Sequence, residues 1–298
     1  MNEKHRFTVA RTERISLDAA KPLCDMYTLS PDVWRTPDGY ELLLRAVNRS
    51  EVAAEKVARI YHGTSPDGLR FAMDANPVIP PGPDEADRDG CEDPTCVEFE
   101  GSHYVYYTGW NQSKLRGQLM YASGTDIHAL EKRGVSLPDS DQIKNPKEAT
   151  LVAVKDGTWR LFFEYARDGA SRIGIANSAH VTGPWTVEGD PFEARGDSWD
   201  CWHLSTGPIL LSRPQHPIMF YNGATQNAMW RIGWIEFDAT YQNVIARSED
   251  PLIVPQDLMG QDTDIAFAAS CTHFNADKCY LYYSVADKDM YRVTLRCA

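Results

Sequence analysis

The chain has 298 residues, 43% hydrophobic and 24% charged, a balance that fits a folded, water-soluble protein and not a disordered one. A formal net charge of −12 excludes nucleic acid and anionic membrane as main partners, because both are bound through basic surface. No segment approaches the ~20 apolar residues of a membrane span. The first fourteen residues carry charge and no apolar run, and the seven cysteines are irregularly spaced, which reads as reduced thiols in a cytoplasmic protein.

In chain order, short β-rich runs bounded by Gly, Pro, Asp and Asn dominate, and long amphipathic helical patterns are scarce. Five apolar runs stand out: Tyr40 to Leu44, Tyr104 to Tyr107, Trp159 to Phe163, Pro217 to Tyr221 and Tyr280 to Tyr283. They recur about every 55 to 65 residues, near the range of repeat architectures. Turn signals precede most of them (Pro37-Asp38-Gly39, Glu100-Gly101, Lys155-Asp156-Gly157, Asn275-Ala276-Asp277), and ahead of each turn lies another short strand, such as Ala149 to Val154. A third strand follows in several copies: Arg59 to Ser65, Arg172 to Ser178, and Arg231 to Ile235. An edge segment such as Trp185-Thr186-Val187 comes last.

Four strands in each of five repeats predict an all-β fold, a five-bladed β-propeller occupying one domain over 1–298. Residues 1–30 are expected to be an N-terminal extension packing on the propeller. A β-sandwich also uses such strands, but gives no reason for Arg-Ile-Gly or its equivalent to return in step with them.

The first strand of each propeller blade lines the central channel, so residues at its entrance converge on the axis. Those positions hold Asp93 in the second blade, with Glu92 beside it as a substrate-binding candidate, Lys147 and Glu148 in the third, Asp200 and His203 in the fourth, and Asp262 and Asp264 in the fifth. The far ends of the second strands add Arg45, Trp110, Glu164, Arg167 and Asn222. Two carboxyl groups flanking a glycosidic bond suffice for hydrolysis, one protonating the leaving oxygen and the other activating water or attacking the sugar. Asp93 is the leading candidate for the acid, kept protonated by burial and nearby like charge, with Pro94 stiffening the backbone beside it. Arg45, Arg59, Asp200 and Asp264 suit contacts to vicinal hydroxyls, and Trp110 and Trp202 suit stacking on a sugar ring. Of the histidines only His203 is expected to face the funnel. His62, His103, His128, His180, His216 and His273 form no ligand spacing, and Cys91-x4-Cys96 lacks a second pair, so neither a metal nor a cofactor is expected.

Gly90-Cys91-Glu92-Asp93-Pro94 resembles the Gly-x-Glu-Asp-Pro-Arg signature of glycoside hydrolase family 130, the mannoside phosphorylases and mannosidases. Lys147-Glu148-Ala149, Trp199-Asp200 with Gly207-Pro208, Trp230-Arg231-Ile232-Gly233 and Val244 to Leu252 resemble further family segments in the family's order. The resemblance runs from about Arg45 to Asp287 and implies a five-bladed propeller and an inverting enzyme acting on β-mannosides in short oligosaccharides. Dimers are common in the family, which leaves room for a homo-oligomer.

Several positions depart from the family's phosphorylases. Thr95 stands where their signature ends in Arg, Asn222 where they carry His, and Trp202 and His203 where a Lys follows their Trp-Asp. Their His-Arg pair in the third blade is replaced by the run from Phe163 to Arg167, which brings Glu164. Phosphate is held by cationic, multiply donating side chains, so these changes point to hydrolysis, with Asp93 as acid and Glu164 or Glu148 as base. The alternatives are a phosphorylase holding phosphate with Arg45, Arg167 and His203, or a carbohydrate-binding propeller without catalysis.

Overall fold

The computed structural model describes residues 6–52, 55–211, 215–255, 265–275 and 277–297. Asp262 and Asp264, expected at the fifth blade's entrance, lie outside the described residues. The described residues contain strands and short 3-10 turns and no α-helix.

The strands group into five antiparallel blades, and chain order is also order from axis to rim. Blade 1 runs Tyr27–Thr36, Gly39–Val47, Ala58–Ser65 and Arg70–Met73. Blade 2 runs Gly90–Phe99, Ser102–Asn111, Arg116–Gly124 and Glu131–Leu137. Blade 3 runs Lys144–Ala153, Trp159–Arg167, Ala170–Ser178 and Thr186–Gly189.

In blade 4 the three inner strands are each broken in two, His203–Ser205 with Ile209–Leu210 being the innermost. The break falls at Gly207-Pro208. A Cβ at Gly207 would come 1.8 Å from the Phe220 carbonyl oxygen, so only glycine permits this approach, and Pro208 has no N–H to continue the ladder. Blade 5 is made from both ends of the chain. Ala266–Asn275, Lys278–Val285 and Asp289–Cys297 are followed at the rim by Phe7–Arg14, paired antiparallel to the last of them. Part of the stretch expected as an extension is thus a strand of the sheet itself. Ser16–Asp18 adds a parallel strand to the rim of blade 1.

Both faces of every blade are covered by neighbouring blades, which explains why the second strands are continuously apolar and do not alternate. Leu42, Leu43 and Leu44 are all fully buried. Leu42 and Leu44 pack with Tyr282 and Met290 of blade 5, while Leu43 packs with Val105 and Tyr107 of blade 2. Blade 3 repeats the arrangement. Phe162 faces Met219 and Tyr221 of blade 4, and Leu161 and Phe163 face Tyr106 and Leu119 of blade 2. Each such side chain contributes about 1.5–3 kcal/mol on burial.

Near the axis a circuit of side-chain hydrogen bonds joins successive inner strands. The Cys96 N–H donates to Asp32 Oδ2 (2.7 Å), Thr95 Oγ1 to the Ala149 carbonyl (2.7 Å) and Thr150 Oγ1 to the Gly207 carbonyl (3.0 Å). Asn222 both donates to and accepts from the Ala268 backbone (3.2 and 2.7 Å), and Ser270 Oγ donates to the Pro31 carbonyl (2.7 Å).

Candidate active site

Three inner strands carry the same irregularity. The pairing register slips between Leu29 and Asp32, between Glu92 and Thr95, and between Lys147 and Thr150. In each bulge one residue takes a left-handed backbone conformation: Ser30 (φ +50°), Asp93 (φ +50°) and Glu148 (φ +52°). Such conformations cost a non-glycine residue on the order of 1–3 kcal/mol. Bulges bend the strand and re-aim a side chain, and Pro31 and Pro94, which lack an N–H, follow two of the three residues without loss of a ladder bond. Ser30, Asp93 and Glu148 all line one cavity of about 250 Å³ at the axis, together with Arg45, Glu92, Lys147, Glu164, Ser171 and His203.

Asp93 is buried, and its Oδ1 accepts from Ser30 Oγ (2.8 Å) and from Arg45 (3.2 Å), which also pairs with Glu92 (2.8 Å). Lys147 and Glu164 are directly opposed across adjacent strands, so their side chains meet at 3.1 Å. Glu164 Oε1 also accepts from Ser171 Oγ (2.7 Å). The Ser171 N–H donates to His203 Nδ1 (3.1 Å), which fixes that nitrogen as the acceptor and leaves the ring proton on Nε2.

The charge states differ from the expectation for Asp93. Burial would push its carboxyl up, but Arg45, Ser30 and Lys147 together hold it below the usual range, so it is ionised. Glu148 behaves in the opposite way. Burial first, then the negative charges of Asp93 and Glu164, drive it well above the usual carboxylate range, so it holds a proton. Of the two glutamates expected as candidate bases, Glu148 is the one that these surroundings hold protonated. Burial lowers His203 and keeps it neutral, despite Glu164 nearby. Glu164, and secondarily Glu148 and Asp93, raise Lys147 and keep it charged against the effect of burial.

The remaining positions expected in the funnel lie elsewhere. Asp200 is fully buried in an ionic knot with Arg195 (2.9 Å), Arg247 and the Tyr221 hydroxyl (2.6 Å). Asn222 is spent on the circuit between blades 4 and 5. Arg167 is exposed and pairs with Asp190 (2.6 Å), and Arg59 reaches the Met26 sulfur (3.8 Å). Trp110 bonds Gln112 (3.0 Å), and the Trp202 carbonyl accepts from Arg172 (2.6 Å); neither ring lines the cavity. The aromatic wall comes from Trp230, tilted against His203 (centroids 5.6 Å, 31°), and Phe267, edge-on to Trp230 (5.2 Å, 64°). Trp230 belongs to the segment Trp230-Arg231-Ile232-Gly233, which gives no sign in sequence that its ring faces the cavity. Ser30, Ser171, Ser284 and Asp287 also line the cavity and carried no distinguishing signal.

The cavity thus combines carboxyl groups able to move protons with aromatic rings able to stack on a sugar. The sequence model for glycoside hydrolase family 130, described as β-1,4-mannooligosaccharide phosphorylase, matches residues 44–291. The chain belongs to glycoside hydrolase family 130. A 1,2-β-oligomannan phosphorylase of Thermoanaerobacter sp. (strain X514) is 25% identical over 259 residues, 83% of this chain and 82% of the relative. Among solved structures, the β-1,2-mannobiose phosphorylase of Listeria innocua superposes with a TM-score of 0.77 at 17% identity, covering 99% of this chain and 96% of the other. A glycosyl hydrolase from Bacteroides ovatus gives 0.78 at 21% identity, covering 96% and 94%. At these identities the structural likeness establishes the five-bladed propeller alone.

Proposed function

We propose that the chain hydrolyses β-mannosidic linkages in short oligosaccharides with inversion at the anomeric carbon. The observation that carries this reading is the charge of the cavity. Among the described residues five carboxyl groups line it (Glu92, Asp93, Glu148, Glu164, Asp287), Glu148 holding a proton, against two permanent cations, Arg45 and Lys147. Both cations are already paired, with Glu92 and Asp93 and with Glu164 respectively. With both cations engaged by carboxylates, the site offers inorganic phosphate little to bind and favours a neutral nucleophile.

Both contacts to Glu164 fall on Oε1, so Oε2 is the oxygen that takes a proton from the attacking water. The water oxygen bonds to the anomeric carbon as the glycosidic bond breaks, and the leaving oxygen takes a proton from Asp93. Asp93 draws that proton from Glu148, where the pair stores it in the free enzyme. Trp230 offers the sugar an apolar face, and His203 Nε2–H and Arg45 donate to its hydroxyls.

Phosphorolysis is the second reading, supported by the relatives whose names are phosphorylases. Product analysis on β-mannobioses with and without inorganic phosphate separates the two. Hydrolysis gives free mannose at the same rate in both, and Glu164→Gln lowers that rate by ~10²–10⁴-fold. Mannose 1-phosphate formed only with phosphate overturns the proposal.

A further inference from the structure

We propose a second site, for a divalent transition ion of the zinc class, built by His62, Asp74 and His128 at the junction of blades 1 and 2. His62 lies in the third strand of blade 1, Asp74 just beyond its rim strand, and His128 in the 3-10 turn Ile127–Ala129 of blade 2. None of the three lines the axial cavity. Asp74 Oδ2 stands 2.9 Å from His62 Nδ1 and 2.9 Å from His128 Nε2, and the three potential ligand atoms all lie within 4.8 Å of one another. Separations of 12 and 54 residues from Asp74 to the two histidines hid this cluster from any reading by motif spacing.

The far sides of the rings give the site its direction. His62 Nε2 is buried without a hydrogen-bond partner, and the nearest acid is Glu41 Oε2 at 3.5 Å. His128 Nδ1 lies 3.2 Å from Asp126 Oδ1. Behind His128 the Asp126 carboxylate draws the ring proton to that side, as the outer partners of metal-bound histidines do, and Glu41 is the acid on the far side of His62. With the ring protons on the far sides, the inward nitrogens present lone pairs toward Asp74 Oδ2, three ligand atoms that a cation between them would satisfy. In the metal-free protein protons fill that role.

Two imidazole nitrogens and one carboxylate oxygen suit zinc-class ions and supply too few oxygens for calcium or magnesium. Asp74 and His128 are partly exposed, which gives the ion access to solvent and to a water as fourth ligand. The ion would clamp two blades whose sheets are joined by the single backbone pair Ala58↔Gly90.

The test is zinc binding to chelator-stripped full-length protein, read by titration calorimetry, metal content after dialysis and Tm. Wild type is expected to retain one zinc per chain and to gain Tm as ligand binding stabilises the folded state. In His128→Ala, and independently in Asp74→Asn, the affinity falls by at least the ~10–100-fold that loss of a mere outer partner costs, and the gain in Tm disappears. Both side chains are partly exposed, so the variants fold. No zinc retained by wild type, or equal binding by the two variants, overturns the proposal. Equal binding would place the ion outside this cluster.

Discussion

Asp200, Glu148 and Asp32 belong to the same chemical class, and their neighbours give them three different roles. Asp200 is held by two arginines and a tyrosine and sits away from the cavity. Asp200→Ala would leave Arg195 and Arg247 facing a hole, and we expect a loss of about 3–5 kcal/mol, checked by denaturant unfolding. Glu148 has no arginine of its own and keeps its proton. If it is the store from which Asp93 is loaded, kcat/KM falls as pH rises through its elevated pKa. Glu148→Gln then removes most of the rate together with that alkaline limb, while stability changes little. Asp32 is a stability switch. Burial lifts it from 3.8 to about 7, against the hydrogen bond from Cys96. Between those values the folded state binds a proton that the unfolded chain has released, so stability declines as pH rises from about 4 to 7, by at most roughly 4 kcal/mol. Asp32→Asn keeps an acceptor for Cys96 and should flatten that decline in Tm measured across the range.

At the scale of the strand, the recurring bulge explains how a funnel of polar groups is raised on a fully apolar frame. The circuit that follows each bulge is the second half of that device, since the hydroxyls of Thr95 and Thr150 tie blades 2, 3 and 4 together next to the chemistry. Thr150→Val would leave the Gly207 carbonyl without its donor, a cost of about 1–3 kcal/mol in unfolding free energy. The strands were legible because continuous runs such as Leu42-Leu43-Leu44 and Phe162-Phe163, punctuated by turn residues, have no other compact use. The bulges were less so. Asp93 and Glu148 could be found from their charge and neighbours, whereas Leu29-Ser30-Pro31 carries no such mark. Side-chain direction was hidden as well. Asp200, Asn222, Trp110 and Trp202 were expected in the funnel and do not line it; a one-residue change of face turns a ligand into a strut, and periodicity cannot count through a bulge. Trp230 shows the converse, a motif residue whose ring lines the cavity.

For the molecule as a whole, Phe7 is the residue at which the ring is fastened. It lies in the rim strand of blade 5 but packs edge-on against Phe220 (5.1 Å) and Trp234 (6.2 Å) of blade 4. Phe7→Ala is expected to lower the unfolding free energy by about 3–5 kcal/mol. The pairing of Phe7–Arg14 with Asp289–Cys297 also orders events in time. On a ribosome the earlier strand emerges first and has no mate until the later one is made, more than 270 residues on. Blades 1 to 4 can form in sequence meanwhile, but the interval leaves a bare ladder edge open to wrong partners. Contacts this distant along the chain also form slowly once both strands exist. Lengthening that wait by slowing synthesis after blade 4 would tax yield more than any surface substitution, while the protein once closed would be indistinguishable.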